Sequence, residues 1–127
     1  MLLRAAHLLE DRLGRALEEV DLTLSQFAVI SALVNSGEAQ TLSDLAAQVR
    51  CVRSNMTQLV DRLEAEGLVR RVSDVSDRRV VRAQLTALGV ERAAAGADRV
   101  AMIEAQFEES LSTSDRIALK RMAAALQ

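Results

Sequence analysis

Residues 52–69 read VRSNMTQLVDRLEAEGLV, and residues 70–86 continue as RRVSDVSDRRVVRAQLT. In the first stretch, four apolar residues recur at helical spacing, namely Met56, Leu59, Val60 and Leu63. Gly67 follows them, where a left-handed residue commonly ends a helix. The second stretch holds two short β-type runs, 68–72 and 80–85, on either side of a polar, turn-prone segment. The sequence therefore predicts a helix from about residue 52 to residue 66, followed directly by a β-hairpin.

Start and stop signals divide the chain before this stretch into three helices. Apolar residues at spacings of three and four make residues 2–20 an amphipathic helix. Thr23 and Gln26 form a capping-box pattern that opens a second helix, and the turn-forming residues 35–37 end it. Thr41 repeats the start signal for a short helix that reaches about Val49.

Two more helices follow the hairpin. Thr86 caps a long one, and Thr113 or Ser114 begins the last. The predicted order is four helices, a hairpin and two helices. The fold class is mainly α with a small β-hairpin wing, that is, a winged helix-turn-helix with additional terminal helices. The length of 127 residues fits a single domain, 1–127.

Composition excludes several classes of protein. Half of the residues are apolar, 27% are charged, and no apolar run approaches the roughly 18 residues of a membrane span. The start of the chain lacks the pattern of a signal peptide, so we expect a soluble, cytoplasmic protein without a membrane partner. With one cysteine, one histidine and no Gly-rich phosphate loop, the sequence predicts no cofactor, no metal site, no catalytic residue and no enzymatic activity.

The charge distribution indicates a polyanionic partner. Residues 50–82 contain eight arginines against five acidic residues, a net charge of +3, whereas the rest of the chain carries a net charge of −5. A locally basic block is the electrostatic footprint of a nucleic-acid site even in an acidic protein.

The predicted helix and hairpin suit double-stranded DNA. A helix fits the major groove, where each base pair presents a distinct pattern of donors and acceptors, and a basic hairpin beside it reaches phosphates or the minor groove. The two adjacent arginines of the hairpin are expected to point to opposite sides of an extended strand, so that one enters the minor groove while the other meets phosphate or pairs with Asp74 or Asp77. An ordinary solvated helix face and a solvated turn remain the alternatives. The candidate DNA-binding residues are Arg53, Ser54, Asn55, Thr57, Gln58, Arg62, Arg78 and Arg79.

Three motifs resemble the MarR family of bacterial transcriptional regulators. Residues 22–30, LTLSQFAVI, are similar to the opening of the family's second helix, and residues 55–69, NMTQLVDRLEAEGLV, to its recognition helix and following strand. Asp77-Arg78-Arg79, then five residues, then Leu85-Thr86 matches the wing signature Asp-x-Arg-x(5)-Leu-Thr. In this resemblance Arg79 stands at the signature arginine.

The resemblance implies a homodimer that binds a pseudo-palindromic operator. By this likeness, residues 22–86 form the DNA-binding region, and residues 1–21 and 87–127 form interlocking dimerisation helices. Members of the family are usually repressors, and many release DNA when a small molecule or an oxidant binds. The alternative, from a different class, is a winged-helix protein-interaction module without operator binding.

Two positions beside the recognition helix need comment. Val52 stands where family members often place a capping Ser or Thr, which predicts either a cap at another residue or a start weaker by about 1 kcal/mol. Cys51 lies in the turn near Arg50 and Arg53, where a thiolate would be stabilised and could sense oxidants. The favoured interpretation is that Cys51 is a small residue packed in the helix-turn-helix core.

Overall fold

The computed structural model describes residues 2–51 and 53–127, and of residues 2 and 53 only the backbone. In this part of the chain, six helices and three strands follow one another. They are α1 (Leu2–Glu18), α2 (Leu24–Ser36), β1 (Gln40–Thr41), α3 (Leu42–Gln48), α4 (Arg53–Ala65), β2 (Val69–Ser73), β3 (Val81–Leu85), α5 (Ala87–Glu109) and α6 (Thr113–Ala125). The mainly helical winged architecture that the sequence predicts is confirmed.

Local capping explains where most helices begin and end. The Thr23 hydroxyl accepts from the Gln26 amide at 3.1 Å, and the Gln26 side chain accepts from the Thr23 amide at 2.9 Å, which completes the predicted capping box. Gly37 ends α2 with φ 71° and Gly67 follows α4 with φ 76°, both in the left-handed region that glycine enters without strain. Thr86 caps α5 as predicted.

The last helix begins at Thr113, as the sequence predicts, and its cap is the preceding residue, Ser112. The Ser112 hydroxyl accepts from the Asp115 amide at 3.1 Å. The Asp115 carboxylate in turn accepts from the Ser112 amide at 3.0 Å. This reciprocal pair satisfies two amides that would otherwise lack partners, whereas a cap at Thr113 or Ser114 would not include it.

The hairpin belongs to a three-stranded antiparallel sheet in the order β1-β3-β2. Strands β2 and β3 pair with Val69 opposite Leu85 and Ser73 opposite Val81. The sequence did not predict β1, which places Gln40 opposite Ala83. With only two residues, this strand is too short for any alternating pattern to reveal it.

The core lies between the helix-turn-helix and the sheet. Buried residues come from α2, α3, α4, β2 and β3, while α1 adds Leu17 and α5 adds Gly89, Ala93 and Gly96 along one side. The largest of them are Leu17, Ile30, Leu45, Met56, Leu63 and Leu68. Burial of these side chains fixes which face of α4 turns outward.

The terminal helices leave apolar side chains exposed. None of the residues of α6 is buried. Large apolar side chains are exposed on α1, α5 and α6, including Leu3, Leu8, Met102, Ile117, Leu119, Met122 and Leu126. Large apolar side chains exposed together on several helices are typical of a protein interface.

Candidate nucleic-acid interface

A tight turn between α3 and α4 sets the helix-turn-helix angle. The Val49 amide donates to Leu45 O at 3.0 Å, and the Cys51 amide donates to Ala46 O at 2.8 Å, which closes α3 in a Schellman-type turn. Arg50 occupies the left-handed position of this turn with φ 53°, where glycine is usual. Four residues, 49–52, separate α3 from α4, which is the length typical of this motif.

Helix α4 has one buried face and one polar face. Met56, Val60 and Leu63 are fully buried. Five of the candidate DNA-binding side chains are exposed on the helix, namely Ser54, Asn55, Thr57, Gln58 and Arg62. The sixth, Arg53, is the first helical residue, and its side chain lies outside the described part. Val52, where the sequence predicts a weak cap, also lies outside the described residues.

The loop of the wing is organised around Asp74. Its carboxylate accepts from the Ser76 hydroxyl at 2.6 Å, from the Ser76 and Asp77 amides at 3.1 and 3.2 Å, and from Arg82 Nε at 2.9 Å. Hydrogen bonds from Ser76 and then Arg82 lower the pKa of Asp74 to about 2, because they stabilise the charged form. A polar loop without a core of its own is thus held by one charged acceptor.

The two wing arginines lie in a turn and not on an extended arm. The Val80 amide donates to Asp77 O at 3.0 Å across Arg78 and Arg79, and β3 begins only at Val81. The expectation that the two side chains point to opposite sides of a strand is therefore wrong. Both are exposed; the Arg79 side chain is 92% exposed and its Nε lies 3.3 Å from Asp77 Oδ1.

Not every arginine of the basic block is available to a partner. Arg82 is paired with Asp74, and Arg71 is paired with Asp61 and Glu64 on α4. Partial burial lowers the pKa of Arg71, but hydrogen bonds to both carboxylates outweigh it, so the pKa lies above its ordinary value. The exposed arginines that lie outside these two pairings include Arg62 on α4 and Arg78 and Arg79 at the tip of the wing.

Cys51 is half buried and packs against the core, in agreement with the favoured interpretation. It also borders an open groove of about 500 Å³ between the start of α2 and the recognition helix. The groove is lined by Thr23, Ser25, Cys51, Asn55, Gln58, Leu59 and Arg62. Three of the candidate DNA-binding residues therefore share one concave surface with the N-terminal end of α2.

Three contacts that support this surface were not predicted from the sequence. Gln26, which is 4% exposed, donates from Nε2 to Glu66 Oε2 at 2.8 Å and so ties the start of α2 to the end of α4. Gly89 packs so closely that a Cβ there would lie 2.0 Å from Leu68 O. The bonds of Arg71 to α4 are the third. Each joins residues at least seven positions apart that belong to different parts of the fold, and no local signal announces such contacts.

Neither a metal site nor a membrane-spanning helix is found among the described residues. Within residues 2–51 and 53–127, no group of three or more His, Cys, Asp or Glu side chains is placed to hold a metal ion. In the same ranges, no helix combines the length and apolar character that a bilayer crossing requires.

Comparison with known proteins identifies the family. The model of the MarR family matches residues 22–81. The solved structure of AbsC, a MarR family transcriptional regulator from Streptomyces coelicolor, is 31% identical with a TM-score of 0.82, over 98% of this chain and 88% of that chain. The chain belongs to the MarR family.

Other relatives extend the comparison. The transcriptional repressor CouR, solved bound to a 23-mer DNA duplex, is 29% identical with a TM-score of 0.88, over 98% of this MarR-family chain and 88% of that chain. CouR from Rhodococcus jostii RHA1 has also been solved with p-coumaroyl-CoA, and that structure is 25% identical with a TM-score of 0.84, over 99% of this chain and 86% of that one. The HTH-type transcriptional regulator MhqR from Bacillus subtilis is 30% identical over 71% of this chain, which spans 61% of the length of MhqR.

Proposed function

We propose that this MarR-family chain is a sequence-specific DNA-binding transcriptional regulator. The observation that carries the proposal is the exposed polar face of α4 beside a wing whose tip presents Arg78 and Arg79. A helix of this kind fits the major groove, and a basic hairpin beside it fits the adjacent backbone or minor groove. The likeness to CouR, solved on duplex DNA, supports the proposal.

The roles of the site residues follow from their chemistry. Asn55 and Gln58 have amide groups that bond adenine through two hydrogen bonds, and Ser54 and Thr57 offer hydroxyls to several bases or to phosphate. The guanidinium groups of the site bind phosphate or the narrow minor groove. They belong to Arg53, Arg62, Arg78 and Arg79. Cys51 takes no part in this scheme beyond packing.

A homodimer completes the proposal. The apolar side chains exposed on α1, α5 and α6 need a partner surface, and a second copy supplies the same residues in return. We assign residues 22–86 to DNA binding and residues 1–21 and 87–127 to dimerisation. Such a dimer acts on a pseudo-palindromic operator, which places the protein in the cytoplasm with the nucleoid.

Regulation by a ligand is part of the same proposal. CouR is described as a repressor and has been solved with a small molecule bound, p-coumaroyl-CoA. We infer that this chain represses its target and that a small-molecule or oxidant signal releases it from DNA.

Selection of bound duplexes from a random DNA pool tests the proposal directly. We expect the recovered sequences to share a pseudo-palindromic site, and a reporter gene carrying that site to be repressed by the protein. A winged-helix module that binds only other proteins would recover no common sequence and would shift no genomic DNA fragment in a gel. Either of those results would overturn the proposal.

A further inference from the structure

Arg71, at the middle of β2, reaches from the wing back to the recognition helix. Its Nη2 lies 2.5 Å from Asp61 Oδ1 and its Nη1 lies 2.8 Å from Glu64 Oε1. Its backbone amide also donates to Glu64 Oε2 at 3.1 Å. One residue of the wing is therefore bonded through its side chain and its main chain to two residues of α4. Several bonds of this kind fix the orientation of β2 relative to α4 as well as the distance between them.

The position of these bonds matters because the outer part of the wing, residues 72–82, contains no buried residue. Val69, at the first position of β2, is buried, whereas Ser73 at its far end is exposed and the loop beyond it is exposed or half-buried. On the β3 side the hairpin is held by buried Ala83 and by the pairing of Ala83 and Arg82 with β1. On the β2 side, Arg71, which lies opposite Ala83, supplies the bonds to the recognition helix. The Arg71 bonds lie between the buried end and the tip that carries Arg78 and Arg79.

Arg71 is poorly placed to bind DNA itself. Its side chain is 28% exposed, against 92% for Arg79, and its guanidinium already bridges two carboxylates. Asp61 lies three residues after Gln58 and four after Thr57, on the same side of α4 as the proposed base-reading residues. An unpaired carboxylate there would repel phosphates, so the ion pair also makes that surface compatible with DNA.

We propose that Arg71 is a positioning residue, which fixes the angle between the wing and the recognition helix so that both meet one DNA segment. The proposal rests on the DNA-binding function given above. A wing already held in its bound orientation loses less conformational freedom on binding, and the affinity rises accordingly. Arg71 acts through Asp61 and Glu64 and makes no DNA contact.

Arg71→Met and Arg70→Met form a matched pair for a measurement that needs no DNA. Each removes one positive charge from β2, but Arg70 is exposed and its Nε bonds Gln84 across the hairpin at 2.9 Å. Hydrogen exchange of the loop amides from Asp74 to Val80 is the readout. We expect exchange to rise about threefold to tenfold in Arg71→Met and to stay near wild type in Arg70→Met. Equal exchange in wild type and Arg71→Met would overturn the proposal.

Glu64→Ala separates positioning from simple charge. The variant removes a negative charge beside the DNA-binding surface, so a purely electrostatic role for the pair predicts tighter operator binding. Positioning predicts weaker binding, about threefold to tenfold, together with faster exchange in the loop. Thermal unfolding and light scattering on each variant confirm that a folded protein in its normal oligomeric state is being compared.

The wing arginines provide the last test. If Arg71 orients the wing, replacing Arg78 and Arg79 by Ala weakens operator binding less in the Arg71→Met background than in the wild type. Additive losses, or tighter binding by Glu64→Ala, would overturn the positioning role. If the wild type binds no DNA although Arg71→Met loosens the loop, the proposed function fails while the link between wing and helix stands.

Discussion

Among single residues, Gln58 offers the sharpest test of base reading. It lies on the exposed face of α4, and its amide suits adenine in the major groove. We expect Gln58→Ala to cost about 1–3 kcal/mol on the best operator and to relax the preference at one base position. Affinity on the selected operator and on single-base variants of it measures both effects. Equal weakening on every sequence would make Gln58 a backbone contact.

Asp74 gives the wing a defined dependence on pH. Its pKa is lowered to about 2 by hydrogen bonds from Ser76 and Arg82, whereas in the unfolded chain it is near 3.8. A depressed pKa in the folded state means that Asp74 contributes stability above about pH 4. That contribution is lost as the pH falls through the folded-state pKa.

Asp74→Asn tests this dependence. The variant is expected to unfold at a lower temperature than wild type at pH 7, and the difference is expected to shrink as the pH falls from about 4 towards 2. Exchange of the loop amides should be faster at pH 7 in the variant. A difference in melting temperature that stays constant over this range would show that the carboxylate is not what organises the loop.

At the scale of elements, the wing should contribute affinity without contributing stability. Arg78 and Arg79 are exposed at its tip, so replacing both with Ala should change the stability of the fold by less than about 0.5 kcal/mol. Binding should weaken on all sequences, and the slope of log affinity against log salt should fall by about one to two units. Unchanged affinity and salt slope would show that the wing does not touch DNA in this protein.

The packing of α5 against the start of the wing depends on Gly89. A Cβ there would lie 2.0 Å from the carbonyl oxygen of Leu68, a backbone atom that cannot move aside cheaply, and Leu68 O also accepts from the Thr86 amide at 3.1 Å. We expect Gly89→Ala to destabilise the fold by about 1–3 kcal/mol or more, although alanine favours helix. Chemical denaturation measures the loss.

Glu91→Ala on the same helix is the matched control. Glu91 is exposed, so its replacement should leave the free energy of unfolding within about 0.5 kcal/mol of wild type. Similar stabilities for Gly89→Ala and wild type would mean that α5 can shift away from β2 without cost, against the close packing described.

How far the sequence predicts each element depends on the range of the interactions that define it. The caps at Thr23, Thr41 and Thr86 were predicted because the donor and acceptor lie within three residues of each other. The polar face of α4 was predicted because helical periodicity alone separates it from the buried face. Strand β1 was not, because its two residues gain a partner only when β3 folds beside them.

The candidate site shows the same division. Its residue types were predicted from the helix face and the wing motif, but the bonds of Arg71 to α4 and of Gln26 to Glu66 were not. The sequence interpretation also placed Arg78 and Arg79 on an extended strand, whereas they lie in a turn. This turn depends on the Asp74 carboxylate, which accepts hydrogen bonds from the Ser76 and Asp77 amides. The β-type pattern on either side of the loop does not predict those bonds.

For the whole molecule, α5 connects the DNA-binding region to the exposed apolar helices. Besides Gly89, it brings Gly96 so close to α2 that a Cβ there would lie 2.7 Å from Phe27 Cδ1. Two close approaches on one helix leave it little freedom to rotate against α2 and β2. In a homodimer, the distance between the two recognition helices is then set by how the α1, α5 and α6 helices pack together.

This rigidity leads to a prediction about operator spacing. A two-fold dimer should recognise half-sites about one helical turn, or roughly 10 bp, apart. Insertion of about 5 bp between them turns one half-site to the opposite side of the duplex, and affinity should fall to that of a single half-site. Insertion of about 10 bp returns both half-sites to the same side of the duplex but increases the distance between them. A rigid dimer cannot span that distance, so affinity should again fall to that of a single half-site.

Breaking the dimer should have the same consequence as separating the half-sites. Leu119 and Met122 are exposed apolar residues of α6, and replacing both with Asp places charges in the proposed interface while leaving the buried core untouched. We expect light scattering to give a dimer for wild type and a monomer for the variant at micromolar concentration. The variant should bind the full operator and an isolated half-site equally weakly, because the second recognition helix is no longer tethered to the first. A wild-type protein that scatters as a monomer, or a variant that still prefers the intact operator, would contradict the assignment of the terminal helices to dimerisation.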